Sequence, residues 1–258
     1  MSGFVFPAYA LWRREIVRFI RQRSRVTGAV AQPLVFWLLL GGGLNASFQP
    51  AGSTPGTSYV AYFFPGTIAL VLLFTAIFAT ISTVEDRREG FLQGVLVAPV
   101  ARWHIVLGQA LGGTTLAVFQ GAIFLLMAPL VGIALSFGAV LATVAVMLIV
   151  SIALTSLGLI IAWRMESTQG FHAIMNLILI PIWLLSGAFF PAAGAPVPLR
   201  WLMAINPLTY GMAALRRSLY LAHPALAGPV PALGPSLLIS VIFGLVAFLA
   251  AARSAAAR

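Results

Sequence analysis

The chain has 258 residues, of which 61% are hydrophobic and 8% charged, with a mean hydropathy of +1.03. A soluble domain carries about a quarter of its residues as charged side chains, so this composition excludes a water-soluble fold and points to an integral membrane protein. A net charge of +10 would suggest nucleic acid as a partner for a soluble protein, but here the basic residues sit at the ends of apolar runs, where they meet lipid headgroups.

Two absences narrow the chemistry. There is no Cys, which excludes disulfides, thiolate metal sites and Cys nucleophiles within the chain. All 15 basic residues are Arg, and a phosphate-binding loop of the G-x-x-x-x-G-K-[ST] type needs a Lys to reach the nucleotide, so the chain carries no such ATP site of its own. No small-residue cleavage site follows the first apolar run, and the first span is expected to insert by itself.

In chain order, residues 1–26 come first. The run YALWRREIVRFIRQRSR puts Trp12, Ile16, Phe19 and Ile20 on one helical stripe, with Arg13, Arg14, Arg18, Arg21 and Arg25 mostly off it. Such a basic amphipathic helix is expected to lie along the inner membrane surface, as a topology anchor or also as a contact for another protein.

Spans are then counted from the gaps between charges, since a crossing helix needs about 20 apolar residues. Arg25 to Glu85 leaves 59 uncharged residues, broken by the polar NASFQPAGSTPGTS, which makes room for spans near 27–46 and 59–83. Arg102 to Arg164 leaves 61, weakly broken at 131–137, for spans near 104–131 and 137–162. Glu166 to Arg200 leaves 33 and Arg217 to Arg253 leaves 35, one span each, giving six in all. With the N-terminus cytoplasmic, 12 Arg residues fall inside and only Arg200, Arg216 and Arg217 outside, so both termini are expected in the cytoplasm. The fold class is therefore an all-α membrane domain, a single unit over 1–258.

Between spans two and three lies EDRREGFLQGVLVAPVARWH, within the segment 84–103. It holds three of the five acidic residues of the chain, Glu85, Asp86 and Glu89. Thr83 with Asp86 reads as a capping box, the acids suit a first helical turn, Leu92, Val95 and Leu96 repeat at helical spacing, and Pro99 ends the helix at or before Ala98. The expected product is a short amphipathic helix whose apolar residues need a surface, either the membrane face of the same chain or another protein. Between spans five and six, residues 191–233 contain an apolar helical stretch near 207–221 too short to cross, which reads as a re-entrant or interfacial helix pair on the outer side.

The run EDRREGFLQGVLVAPVARWHIVLGQALGG closely resembles the cytoplasmic segment of the ABC-2 type exporter permeases, a group that includes drug-resistance and nodulation-factor exporters. FFPG at 63–66, LSGAFFP at 185–191 and NPLTYGMAALR at 206–216 follow in the family's order, so the resemblance covers nearly the whole chain. It implies that Glu85, Asp86, Arg87, Arg88, Glu89 and Gly90, with Phe91, Leu92, Val95 and Leu96 docking or bracing, form a coupling helix seated on a separate ATP-binding subunit. It implies that Trp12, Arg13, Arg14, Arg18 and Arg21 belong to a connecting helix beside it. It further implies a bacterial plasma-membrane complex of two copies of this chain with two ATPase subunits, which bind the ATP and Mg; no cofactor is expected in this chain.

Small residues Gly108 and Gly112 form a G-x-x-x-G, and Gly41 to Gly43 permit close approach in span one; either is a candidate for helix contact with a second copy. Gln120, Thr155, Ser156, His172 and Asn176 are the polar residues that either face a substrate path or bond helix to helix. A path this apolar suits a hydrophobic or amphipathic cargo such as a drug, a lipid or a lipid-linked glycan.

Two other classes fit less well. An ion-coupled transporter usually places ionisable groups inside the bilayer, and the span interiors have none. An intramembrane enzyme needs a nucleophile with its base, or a metal cluster, whereas His104, His172 and His223 are scattered and no H-E-x-x-H or G-x-S-x-G occurs.

Overall fold

The computed structural model describes residues 2–21, 23–45, 58–97 and 100–257, and within them regular structure is helical, with no strands. The helices are α1 (Ser2–Arg21), α2 (Arg23–Phe36), α3 (Gly42–Leu44), α4 (Tyr59–Ala79), α5 (Ile81–Arg88), α6 (Phe91–Val97), α7 (Arg102–Leu125), α8 (Phe137–Ala162), α9 (Thr168–Trp183), α10 (Val197–Ile205), α11 (Pro207–Leu219) and α12 (Leu233–Ala256). Among the described residues, five helical stretches are long and apolar enough to cross a membrane: Tyr59–Arg88, Arg102–Leu125, Phe137–Ala162, Thr168–Ala188 and Leu233–Ala256. They coincide with expected spans two to six. The first expected span falls on α2, a π-helical turn at Trp37–Gly41 and α3, where the apolar part, Pro33–Leu44, is shorter. The polar loop after it lies mostly outside the described residues.

The arrangement follows from how evenly each helix is apolar. α4 is buried nearly all round, as expected of a helix with no polar face, and forms the axis against which α2, α7, α8, α9 and α11 pack. α12 is peripheral, with Leu238, Ile242, Leu245, Val246 and Leu249 facing away from the protein, a surface suited to lipid. α8 ends at Trp163, whose carbonyl accepts from Arg87 Nη1 at 2.7 Å, a cation placed where the helix dipole favours one.

At the membrane face opposite α6, three sequence motifs meet. Tyr62 donates its hydroxyl to Gly187 O at 3.1 Å, Trp183 Nε1 donates to Gly66 O at 2.9 Å, and Asn206 Nδ2 donates to Ile182 O at 2.7 Å. Asn206 also caps α11 by accepting from Leu208 N at 3.0 Å. Gly187, at φ +82, turns the chain out of the π-helical end of α9, and its own carbonyl is the one that Tyr62 takes, whereas Trp183 takes a carbonyl of α4. Arg216 is buried there, donating to Tyr62 O at 3.0 Å with its guanidinium over the Tyr62 ring. The expected short helix pair is α10 and α11.

Two expectations about local structure fail. Thr83 is not a cap: it lies inside α5, its amide is bonded to Thr80 O at 3.0 Å, and its hydroxyl is buried without a partner among the described residues. Extending an existing helix costs less than nucleating a new one, so α4 continues through a slight break at Thr80 into α5. The acids consequently sit near the C-terminal end of α5, where the dipole does not favour them. Gly90, at φ +79, ends that helix, and the short amphipathic helix is α6 alone. The expected stop at Ala98 and Pro99 lies outside the described residues.

The second concerns the G-x-x-x-G. A Cβ on Gly108 would stand 2.7 Å from Ala8 O, and one on Gly112 would stand 2.7 Å from Glu15 Cβ. The notch in α7 is therefore filled by α1 of the same chain and is not open to a second copy. Gly42 and Gly43 are exposed, and among the described residues nothing lies within 4 Å of where their Cβ atoms would stand.

Candidate functional site

The site begins with the face of α1 that turns inward. Ala8, Leu11 and Glu15 are buried, three positions at helical spacing, whereas Ile20 on the expected stripe is exposed and Trp12, Ile16 and Phe19 are half-buried. Docking in the α7 notch decides this, because only a small side chain, a Leu and the stem of a Glu fit against the two glycines. Trp12 adds an anchor, donating from Nε1 to Thr115 Oγ1 at 3.0 Å.

This places Arg14 and Arg18 against α5. Arg14 donates to both carboxylate oxygens of Asp86, with Nη2 to Oδ1 at 2.7 Å. Arg18 bridges the acids, reaching Asp86 Oδ1 at 2.9 Å and Glu85 Oε2 at 2.6 Å. Asp86 is 1% exposed, so its charge is tolerated only because two guanidinium groups hold it. The bond to Asp86 raises the pKa of Arg14 further above its ordinary value. Arg13 and Arg21, on the outer face of α1, are exposed.

Arg14 also stacks on the next helix, with its Cζ 3.9 Å from the centroid of the Phe91 ring. Leu92 is fully buried in a small core with Leu11, Ile105, Leu159, Trp163 and Ala251, and Val95 and Leu96 pack against it. Arg102 donates to Leu96 O at 3.2 Å, holding the far end of α6. α6 is thus braced on its own chain by Leu92, Val95 and Leu96, while Arg88, Glu89, Phe91, Gln93, Gly94 and Val97 are exposed. Arg87 points the other way, onto the end of α8. The apolar stripe of the segment therefore has its surface within the chain, and what remains outward is a mixed polar and apolar ridge.

Glu15 is 7% exposed and lies 3.7 Å from Arg14. Burial raises its pKa above the usual carboxylate value, against the opposing effect of a Ser82 hydrogen bond. The one signal in the sequence was its spacing from Ala8 and Leu11, legible only to a reader who already knew which face of α1 turned inward.

Glu15 and Arg18 form the polar end of a cavity of about 380 Å³ between α1, α2, α4, α7 and α9. Its walls are Phe19, Leu70, Val71, Phe74, Phe78 and Leu116, and His172 and Asn176 close it from α9, with His172 against the Phe78 ring at 5.3 Å. Of the five polar residues considered for a path, these two line the cavity. Gln120 stands one layer behind, accepting from Thr75, which does line it. Thr155 donates to Ser151 O at 2.7 Å and Ser156 is fully buried; both lie inside helix packing, away from the cavity. A pocket with aromatic and aliphatic walls and a charged mouth can hold an amphipathic molecule. No group of acids and His suited to a metal occurs among the described residues.

The family model described as ABC-2 type transporter matches residues 8–220. The chain belongs to that family. The match spans α1 to α11, so it includes the α1 clamp, α6 and the cavity. Among curated relatives, the chain is 28% identical to Nodulation protein J of Rhizobium leguminosarum bv. trifolii, over 83% of this chain and 81% of that protein. It is 26% identical to the putative transport permease ycf38 of Cyanophora paradoxa, over 95% of this chain and 88% of that one. It is also 28% identical to the probable multidrug ABC transporter permease YbhR of Escherichia coli, over 75% of this chain and 53% of the relative. This ABC-2 chain is a membrane transport component and not itself an enzyme.

Proposed function

We propose that this chain is the permease subunit of an ATP-driven exporter, that two copies of it form the path, and that two separate ATP-binding subunits dock on the α5–α6 face. The observation that carries this reading is the way α6 is held. Its apolar side is consumed by its own chain, it is tied through Phe91 and Arg14 to α1, and its outer ridge is left exposed on a rigid support. A push on that ridge would be passed through Leu92 to α7 and α8, and through Arg14 and Arg18 to α1. In this reading Arg88, Glu89 and Phe91 meet the partner, Asp86 and Leu92 secure the ridge from behind, and ATP and Mg are bound by the partner. The Arg distribution supports a cytoplasmic α6 face in a bacterial plasma membrane, with both termini on that side.

The cargo proposed is hydrophobic or amphipathic, entering at the cavity whose mouth holds Glu15 and Arg18. The test is to purify the tagged chain from its native membrane in mild detergent, identify co-purifying proteins by mass spectrometry, and assay ATP hydrolysis in the eluate. An ATP-binding subunit in roughly equal amount is expected. A chain that keeps its own fold but brings down no ATPase would overturn the reading.

A further inference from the structure

On the same face as α6, α8 and α12 end side by side. They run parallel, Ala153 meeting Gly244 at mid-length and Trp163 meeting Ala251 and Ala255 near the end. Between their ends lies a groove of about 510 Å³ lined by Trp163, Arg164, Val246, Leu249, Arg253 and Ser254, among others. We infer that this groove binds the phosphate headgroup of an anionic phospholipid, with one acyl chain lying along Val246 and Leu249.

Three observations support it. First, Arg164 and Arg253 are exposed, and neither makes an ion pair among the described residues. Among the described residues no carboxylate lines the groove, and Glu166, the acid nearest to Arg164 in sequence, is not among its lining residues. The Trp163 and Ala162 carbonyls at the end of α8 are taken by Arg87. Second, Trp163, a residue of the groove lining, is fully buried, and its indole Nε1 has no acceptor among the described residues, a costly state that a phosphate oxygen within its reach would relieve. An Arg at a helix end commonly reaches for headgroups in general, whereas an unpaired N–H on a lining residue distinguishes this groove from a bare helix end. Third, the strip of α12 leading away from the cations is apolar and outward-facing, Val246 and Leu249 being more than half exposed. Cationic collar and apolar wall lie in the order that a lipid presents its head and its chain.

The experiment is native mass spectrometry of the full chain in mild detergent, titrated with phosphatidylglycerol, phosphatidylcholine, glycerol phosphate or inorganic phosphate. Phosphatidylglycerol should bind with a discrete stoichiometry and phosphatidylcholine much more weakly. Replacing Arg164 and Arg253 by Gln should weaken phosphatidylglycerol by about 25-fold, roughly fivefold for each Arg. The same change at Arg13 and Arg21, exposed on α1, should leave it within about twofold. Trp163→Phe, which retains the ring, should also weaken it. Equal loss in both double variants, or no preference for phosphatidylglycerol, would overturn the site. Full competition by glycerol phosphate or inorganic phosphate would assign it to a free phosphate instead of a lipid. None of these outcomes depends on whether an ATPase binds the α5–α6 ridge.

Discussion

The Arg14 guanidinium holds both carboxylate oxygens of Asp86, a residue 72 positions away in the sequence. Asp86 is almost fully buried, and removing its charge leaves Arg14 without its bidentate partner and Arg18 with Glu85 alone. Asp86→Ala should therefore lower stability by about 3 kcal/mol, the low end for a broken buried pair because both Arg side chains keep some solvent. Thermal unfolding in detergent checks this, and a variant as stable as the parent would mean that the clamp contributes nothing.

Glu15 makes stability depend on pH in a stated direction. Its folded pKa lies above the ordinary 4.5, so the folded state binds the proton more tightly than the unfolded one. That contribution is complete below 4.5 and is lost as pH rises through the folded value. Glu15→Gln should flatten this part of the profile and match or exceed the parent in stability at neutral pH. Melting curves across the acid range would show it; an unchanged slope would place the titration elsewhere.

Gly112→Leu should detach α1, since even a Cβ there would press on Glu15 at 2.7 Å. The cost expected is about 1–3 kcal/mol, with α1 becoming open to limited proteolysis. Gly43→Ala, whose Cβ would meet no atom within 4 Å among the described residues, should leave the stability of the single chain unchanged or slightly higher. Equal proteolysis patterns in the two variants would count against α1 seating in the α7 notch.

Gly187→Ala forces a side chain into a left-handed backbone conformation at φ +82, at a cost of about 1–2 kcal/mol. It would also displace the carbonyl that accepts from Tyr62, so the end of α9 and the α10–α11 pair should loosen together. Hydrogen exchange at 184–219 measures this, and loosening confined to 184–188 would show that the motifs are not coupled.

Glu89→Arg separates coupling from folding. The side chain is exposed and outside the Arg14–Asp86 clamp, so insertion and melting should match the parent, while substrate-stimulated ATP hydrolysis of the assembled complex falls. Undiminished stimulation would remove Glu89 from the partner contact.

Composition and charge spacing alone determined that this is a helical membrane protein and between which charges five of its crossing helices lie, because the cost of placing charge in hydrocarbon confines Arg and acids to helix ends. The α10–α11 pair was legible for the same reason, being apolar but too short to cross. The order of four motifs pointed to the family. Tertiary structure alone decided which face of α1 turns inward, because Ala8, Leu11 and Glu15 differ from the more hydrophobic stripe only in fitting the α7 notch. It also decided that Thr83 is mid-helix, that Asp86 is bound to α1 and not outward, and that Glu15 is buried. Local pattern records what each segment could do alone. Burying a carboxylate depends on which guanidinium groups come within about 3 Å of it, and residues 72 positions apart meet only when the whole bundle has packed.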